Sequence, residues 1–195
     1  LTGKTAHAAD PQDGVSPASA VAKLIPALNA LGQGGALDND FKLVTITHVN
    51  VGEPTFGVAP ADAVIYVTLR TAHDEPMADM VASARAITLG VATAEGLDVA
   101  FEVRDEFAAS INDADATRVA MDAMDALKIP NGDFGLPMRA SEDFGVFGWN
   151  AKAAMLCLGV GEDYAALHNP DYDFPDDLIP IGVSIFDRIA RDLLG

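Results

Sequence analysis

The chain has a single cysteine in 195 residues, Cys157, so no intrachain disulfide can form. It lies in the apolar run 153–160, where a buried, inert thiol is expected rather than a nucleophile. Basic residues are also scarce: 12 lysines and arginines face 29 aspartates and glutamates, for a formal net charge of −17. Such an acidic surface repels nucleic-acid phosphates and anionic lipid, so neither is an expected partner. No apolar run approaches the roughly 18 residues of a membrane span, and neither an internal repeat nor a low-complexity segment is visible. With no signal peptide in view, a cytoplasmic location is expected. What the chain has in quantity is hydrophobic residues, 50% of the total. That is too many for a disordered chain, and the length suffices for one sizeable core or two small ones. The chain begins with Leu1, inside what reads as a strand, as a fragment would.

Residues 1–9 read as a strand. Ser16-Pro17 opens a helix to about Leu31, with Val21, Leu24, Leu28 and Leu31 on one face and Pro26 placed to kink or split it. Stretches 41–51 and 61–71 alternate as strands, the first carrying His48 on the face of Val44 and Ile46. A long helix from Asp74 to about Glu95, closed by Gly96, turns Met77, Val81, Ala84, Ile87 and Val91 inward. A last strand is expected over 97–107. The order strand, helix, strand, strand, helix, strand is the ferredoxin-like split βαβ arrangement, an α+β module ending near Ala109. Residues 110–195 differ in character. A helix capped by Asn112-Asp113 runs to about Leu127, 153–160 is a fully apolar strand needing cover on both faces, and a final helix carries Ile181, Ile185, Ile189 and Leu193.

Chemistry concentrates at a few positions. His7 stands among small residues at a strand–turn junction, in Gly3-x-x-x-His7-Ala8-Ala9-x-Pro11. A histidine so placed is a candidate proton handler or oxyanion donor, or a strand-edge residue with no chemical role. His168 follows the apolar strand, where the ligand loops of α/β sheets lie, with Asp163, Asp171 and Asp173 nearby. It is a candidate metal ligand or a solvated loop histidine. Glu142 and Asp143 precede Phe144 as an acid pair, a pattern common at helix N-termini. Arg70 ends a strand. His48 reads as a sheet-face residue, and His73 as a solvated turn residue.

The His7 block, together with Ser141-Glu142-Asp143-Phe144, Leu158-Gly159 and Leu167-His168-Asn169-Pro170-Asp171-Tyr172, resembles the aminoacylase/hippurate hydrolase/carboxypeptidase G family of two-metal amidohydrolases. The blocks stand in the right order and cover most of the chain. The resemblance implies a ferredoxin-like lid and dimerisation domain over 1–109, followed over 110–195 by the C-terminal part of a metallopeptidase-type α/β catalytic domain. It implies hydrolysis of N-acyl amino acids or small peptide-like amides, with His7 as oxyanion stabiliser and His168 as the last ligand of one of two divalent ions, zinc being expected. It also implies a homodimer through the lid. Arg70 would bind the substrate carboxylate, Glu142 would line the active site, and Gly57 stands where the family usually has a substrate-holding asparagine. Glycine has no side-chain donor, so recognition differs or activity is lost. The rival expectation is a catalytically silent ferredoxin-like dimerisation module. The family's other metal ligands and its general base belong to an upstream half that these residues do not include.

Overall fold

A computed structural model describes all residues, Leu1–Gly195. The chain divides into two compact units, Leu1–Glu106, with helices and short strands, and Phe107–Gly195, with helices and irregular chain.

In the first unit a short strand β1 (Ala6–His7) is followed by a single 3-10 turn, Pro11–Asp13. Helix α1 (Ala18–Asn29) starts where the Ser16 hydroxyl accepts the Ala18 amide at 3.3 Å, and it runs unbroken through Pro26. Its Ala20, Val21, Leu24 and Leu28 are buried, the i, i+3, i+4 stripe of a helix facing a core. Strands β2 (Lys42–Val51), β3 (Val58–Ala59) and β4 (Ala63–Thr71) come next. Helix α2 (Asp74–Ala94) begins with the acids Asp74 and Glu75, which suit the positive end of its dipole. It buries Met80 and Ala92 fully and keeps Met77, Val81, Ala84, Ile87 and Val91 half-buried. Gly96 ends it at φ +68°, a left-handed turn that glycine adopts without a Cβ clash. Both helices pack against the β2–β4 ribbon, and Ala20, Ala92 and Leu97 join Leu1, Val15, Val91 and Val99 in one cluster.

Backbone pairing sets a lateral order of 42–51, then 63–71, then the first residues of the chain, then Asp98. β2 and β4 are antiparallel, Thr2 bridges both Asp62 and Asp98 in antiparallel sense, and β1 pairs β3 with Ala6 opposite Ala59. Gly3 makes this possible, since a Cβ there would lie 2.1 Å from the Val15 carbonyl oxygen. The strand expected over 97–107 reduces to the Asp98 bridge. Residues 99–106 form no strand and pair with no other segment.

One sheet position overturns the sequence alternation. The β2 register slips between Ile46 and His48. A one-residue slip reverses which face each later side chain occupies. His48 therefore leaves the face of Val44 and Ile46 and sits outside, opposite Tyr66, with ring centroids 5.1 Å apart. Val49 and Val51 take over the half-buried positions.

The second unit is built on two helices. Asp113 caps α3 (Ala114–Ala126), its carboxylate accepting the Asp115 and Ala116 amides, each at 2.9 Å. Ala120 and Ala123 of α3 and Ile185 of α4 (Leu178–Leu194) are buried where the two helices pack. Between them lies a run of 3-10 turns, Asp143–Trp149, and otherwise irregular chain. The apolar segment 153–160 is not a strand. Only its start is paired: the Asp113 amide donates to the Ala153 carbonyl at 2.8 Å, and the Asn112 side-chain amide both donates to and accepts from the Met155 backbone, at 3.0 and 2.9 Å. Cys157 is exposed, not buried, because the stretch around it has no strand on either side to cover it. No helix in the chain is long and apolar enough to cross a membrane.

Candidate active site

His7 ends β1 with its ring in solvent, its Cα partnered to that of Val58. The Ala8 amide donates to the Gly57 carbonyl at 3.0 Å, extending the ladder one step. Two sequence-singled residues 50 positions apart, His7 and Gly57, thus flank each other on one β-ribbon. The Ala9 amide donates to His7 Nδ1 at 3.1 Å. A nitrogen that accepts a hydrogen bond carries no proton, so the neutral ring holds its proton on Nε2. The backbone itself has selected the tautomer with an outward N–H donor.

Gly57 is not required by the backbone. Its φ lies outside the left-handed region and a Cβ there would meet nothing within 4 Å. Its amide leans on the Thr55 hydroxyl at 3.4 Å. Arg70 is half-buried at the penultimate position of β4, opposite Leu43 of β2. His73 precedes α2 with Nε2 2.9 Å from the Asn39 side-chain oxygen, an exposed contact between residues 34 positions apart.

In the second unit Glu142 is exposed and directly precedes the 3-10 turns, with no capping bond from its side chain. Its neighbour Asp143 occupies the first turn, in keeping with an acid pair at a helix start. His168 is exposed at φ +74°, one of three non-glycine residues with positive φ. Such backbone is uncommon outside glycine, and it costs on the order of 1 kcal/mol or more. The loop around it is internally tied. The Tyr164 hydroxyl donates to the Asp173 carbonyl at 2.6 Å, Tyr164 and Tyr172 meet edge to face at 5.9 Å, and the Asn169 and Tyr172 amides close successive turns. Partial burial, with the Asp173 charge second, raises the Tyr164 phenol above its ordinary range. No spacing or periodicity in the sequence signals this aromatic tie, nor the reach of Asn112 to Met155.

A two-metal centre needs several imidazole or carboxylate ligands. Nowhere in the chain do three or more histidine, cysteine, aspartate or glutamate side chains gather to hold an ion. The residues present therefore do not make up such a centre by themselves, and His168 stands as a lone imidazole among dispersed acids.

The architecture is shared with solved hydrolase structures. A protein of methicillin-resistant Staphylococcus aureus, provisionally described as an aminohydrolase, superposes with a TM-score of 0.71 at 22% identity, over 100% of this chain and 51% of that one. The aminopeptidase PepT of Bacillus cereus superposes with a TM-score of 0.68 at 22% identity, over 96% of this chain and 48% of that one. Residues 13–192 match the model of peptidase family M20/M25/M40, and the chain belongs to that family. An IAA-amino acid hydrolase ILR1-like 2 of Arabidopsis thaliana is 26% identical over 203 residues, covering 100% of this chain and 45% of the plant protein. The chain thus spans about half the length of the relatives it matches. Members of this family are hydrolases that typically carry two metal ions.

Proposed function

We propose that these residues are part of a metal-dependent amidohydrolase that cleaves the amide bond of N-acyl amino acids or small peptide-like substrates. Residues 1–109 act as its lid and dimerisation domain, and 110–195 as the C-terminal part of its catalytic domain. The observation that carries the reading is the Ala9–His7 bond, which leaves an exposed Nε2–H as a donor. Attack on an amide builds negative charge on the carbonyl oxygen, and a preorganised donor stabilises that charge more than it stabilises the ground state. The ferredoxin-like assignment is supported by the lateral order 42–51, 63–71, chain start, Asp98, all antiparallel. The names of the relatives point the same way, since an amino acid conjugate hydrolase and an aminopeptidase both act on amide bonds. A silent dimerisation module is not favoured.

Within this reading Arg70 binds the substrate carboxylate, for which a guanidinium fork is suited. Gly57 and Glu142 line the substrate. His168, its loop held at positive φ, supplies one ligand to a divalent ion, zinc in this reading, whose remaining ligands are not gathered in these residues. The outer edge of β2, paired only at its start through Leu43–Gln33, is available to a second copy in a two-fold dimer. In the full-length protein His7→Ala should lower kcat roughly a hundred- to a thousandfold, the usual effect of losing one oxyanion donor. The melting temperature should hardly change, because the ring is exposed. A wild-type kcat in that variant would refute the assignment.

A further inference from the structure

Asp13-Gly14 and Asn131-Gly132 are the chain's only Asp-Gly and Asn-Gly steps. In such a step the glycine amide nitrogen can attack the side-chain carbonyl carbon of the residue before it and close a five-membered imide. A residue without a Cβ leaves that nitrogen unobstructed and its backbone free to turn. The structure separates the two steps. The Gly14 amide donates to the Pro11 carbonyl at 3.2 Å, and a Cβ on Gly14 would lie 2.6 Å from the Lys4 carbonyl oxygen. That nitrogen must give up a hydrogen bond and move packed backbone before it can attack. Gly132 is exposed, lies outside every helix and strand, and its amide donates to no group in the chain. Nothing lies within 4 Å of where its Cβ would be.

Asn131 also holds the end of a helix. Helix α3 closes with Lys128 at φ +59° and with the Ile129 amide donating to the Met124 carbonyl at 2.9 Å. Just beyond, the Asn131 side-chain nitrogen donates to the Asp125 carboxylate at 2.8 Å and to the Ile129 carbonyl at 3.2 Å. An acid such as Asp125 in the last turn opposes the helix dipole, and the two neutral donors of Asn131 offset it. An ionised carboxylate has no donor at all.

We propose that Asn131 is a modification site, where spontaneous deamidation through Gly132 converts the donor that clasps the end of α3 into a carboxylate facing Asp125. The Gly132 amide nitrogen loses its proton to water and forms a bond to Asn131 Cγ. The Cγ–Nδ2 bond breaks, and Nδ2 leaves as ammonia. Water then opens the imide at either of its carbonyls, giving aspartate or isoaspartate at 131. The net change is one water consumed and one ammonia released, with no oxidant or cofactor. The product carries one more negative charge, places two like charges at the clasp, and loses both donated bonds. The inference is independent of the amide-hydrolysis reading.

The test incubates the full-length protein, folded, at mildly alkaline pH and follows it by peptide mapping with mass spectrometry, beside the same protein held unfolded in guanidinium. In the folded protein the peptide containing Asn131 should gain one mass unit and isoaspartate should accumulate there. At Asp13 isoaspartate should accumulate in the unfolded sample alone. Gly132→Ala should slow the conversion of the folded protein by about an order of magnitude, since a Cβ obstructs the attacking nitrogen. Asn131→Asp, which reproduces one product, should speed hydrogen exchange at the Ile129 amide about two- to tenfold, the effect of losing a neutral hydrogen bond. Asn131 that stays intact in the folded protein while it converts in guanidinium overturns the proposal. Equal isoaspartate at Asp13 in the two samples overturns the part assigned to the Gly14 bond and packing. Unchanged exchange at Ile129 in Asn131→Asp overturns the consequence drawn for α3.

Discussion

The two units treat their extended segments in opposite ways. In Leu1–Glu106 the strands β2 and β4 pair along nine positions, and helices α1 and α2 cover the ribbon. In Phe107–Gly195 the most apolar segment, 153–160, has no ladder and is tied only through Asn112 and Asp113. The first unit closes its hydrogen-bond accounts with backbone. The second substitutes a side-chain amide for a missing strand, and leaves Phe134, Phe147, Trp149 and Phe186 largely exposed. The difference is one of partners and not of composition. Apolar residues make a strand only where another strand stands beside them to take up the amides and carbonyls.

The strongest way to break this comparison is to empty the core of the first unit. Leu24, 1% exposed in α1, lies on the face that covers the ribbon. Leu24→Ala should cost about 2–5 kcal/mol. Hydrogen exchange should then accelerate in the amides of β2 and β4 by roughly 30- to 5000-fold at fixed pH, since each 1.4 kcal/mol is tenfold in opening. Unchanged protection in those strands would mean that the ribbon does not depend on its helices.

A smaller effect sharpens the contrast from the other side. Asn112→Ala removes both bonds to the Met155 backbone. Each neutral hydrogen bond is worth about 0.5–1.5 kcal/mol, so a loss of about 1–3 kcal/mol is expected. The Met155 amide, exposed in its surroundings, should exchange faster while β2 and β4 stay protected. Asn112→Asp keeps the acceptor and should recover the Met155 amide bond alone. Protection of Met155 that survives Asn112→Ala would show that something other than this amide holds the segment.

The smallest effect concerns charge. Asp115 near the start of α3 pairs with Lys152 and with Arg118, 3.1 Å away. The hydrogen bond from Lys152 is the main cause holding the Asp115 carboxyl below its ordinary range. A lowered carboxyl pKa means the folded state releases the proton more readily than the unfolded chain. The contribution is therefore complete above the ordinary carboxylate range and disappears as pH falls through the lowered value. Lys152→Ala should reduce the melting temperature slightly at neutral pH, and the two proteins should converge on acidification. Added salt should narrow the gap, because both groups are exposed. A gap that widens in acid would contradict the assigned pair.

The helices were legible because each carries its own instructions. The stripe Val21, Leu24, Leu28 set the face of α1, Asp113 set the start of α3, and Gly96 set the end of α2. These are local: a cap, a period and a left-handed turn lie within a few residues of the element they define. Strands β2 and β4 were legible for a related reason, since alternation is read from one segment alone. At the site, the sequence singled out His7, Gly57 and His168 as separate residues.

Tertiary structure decided the rest, because pairing is not written into either partner. A slip at Thr47 moved His48 to the outer face, although nothing in the order of residues 42–51 announces a bulge. The stretch 99–106 pairs with no other segment beyond the Asp98 bridge, and the absence of neighbours left 153–160 irregular and Cys157 in solvent. The meeting of His7 with Gly57, and the bond from Ala9 that fixes the histidine tautomer, exist only once the ribbon has closed. A segment's own residues determine which of its faces is apolar. Which other segment lies against that face is a contact between distant parts of the chain, and it is set by the free energy of the whole fold.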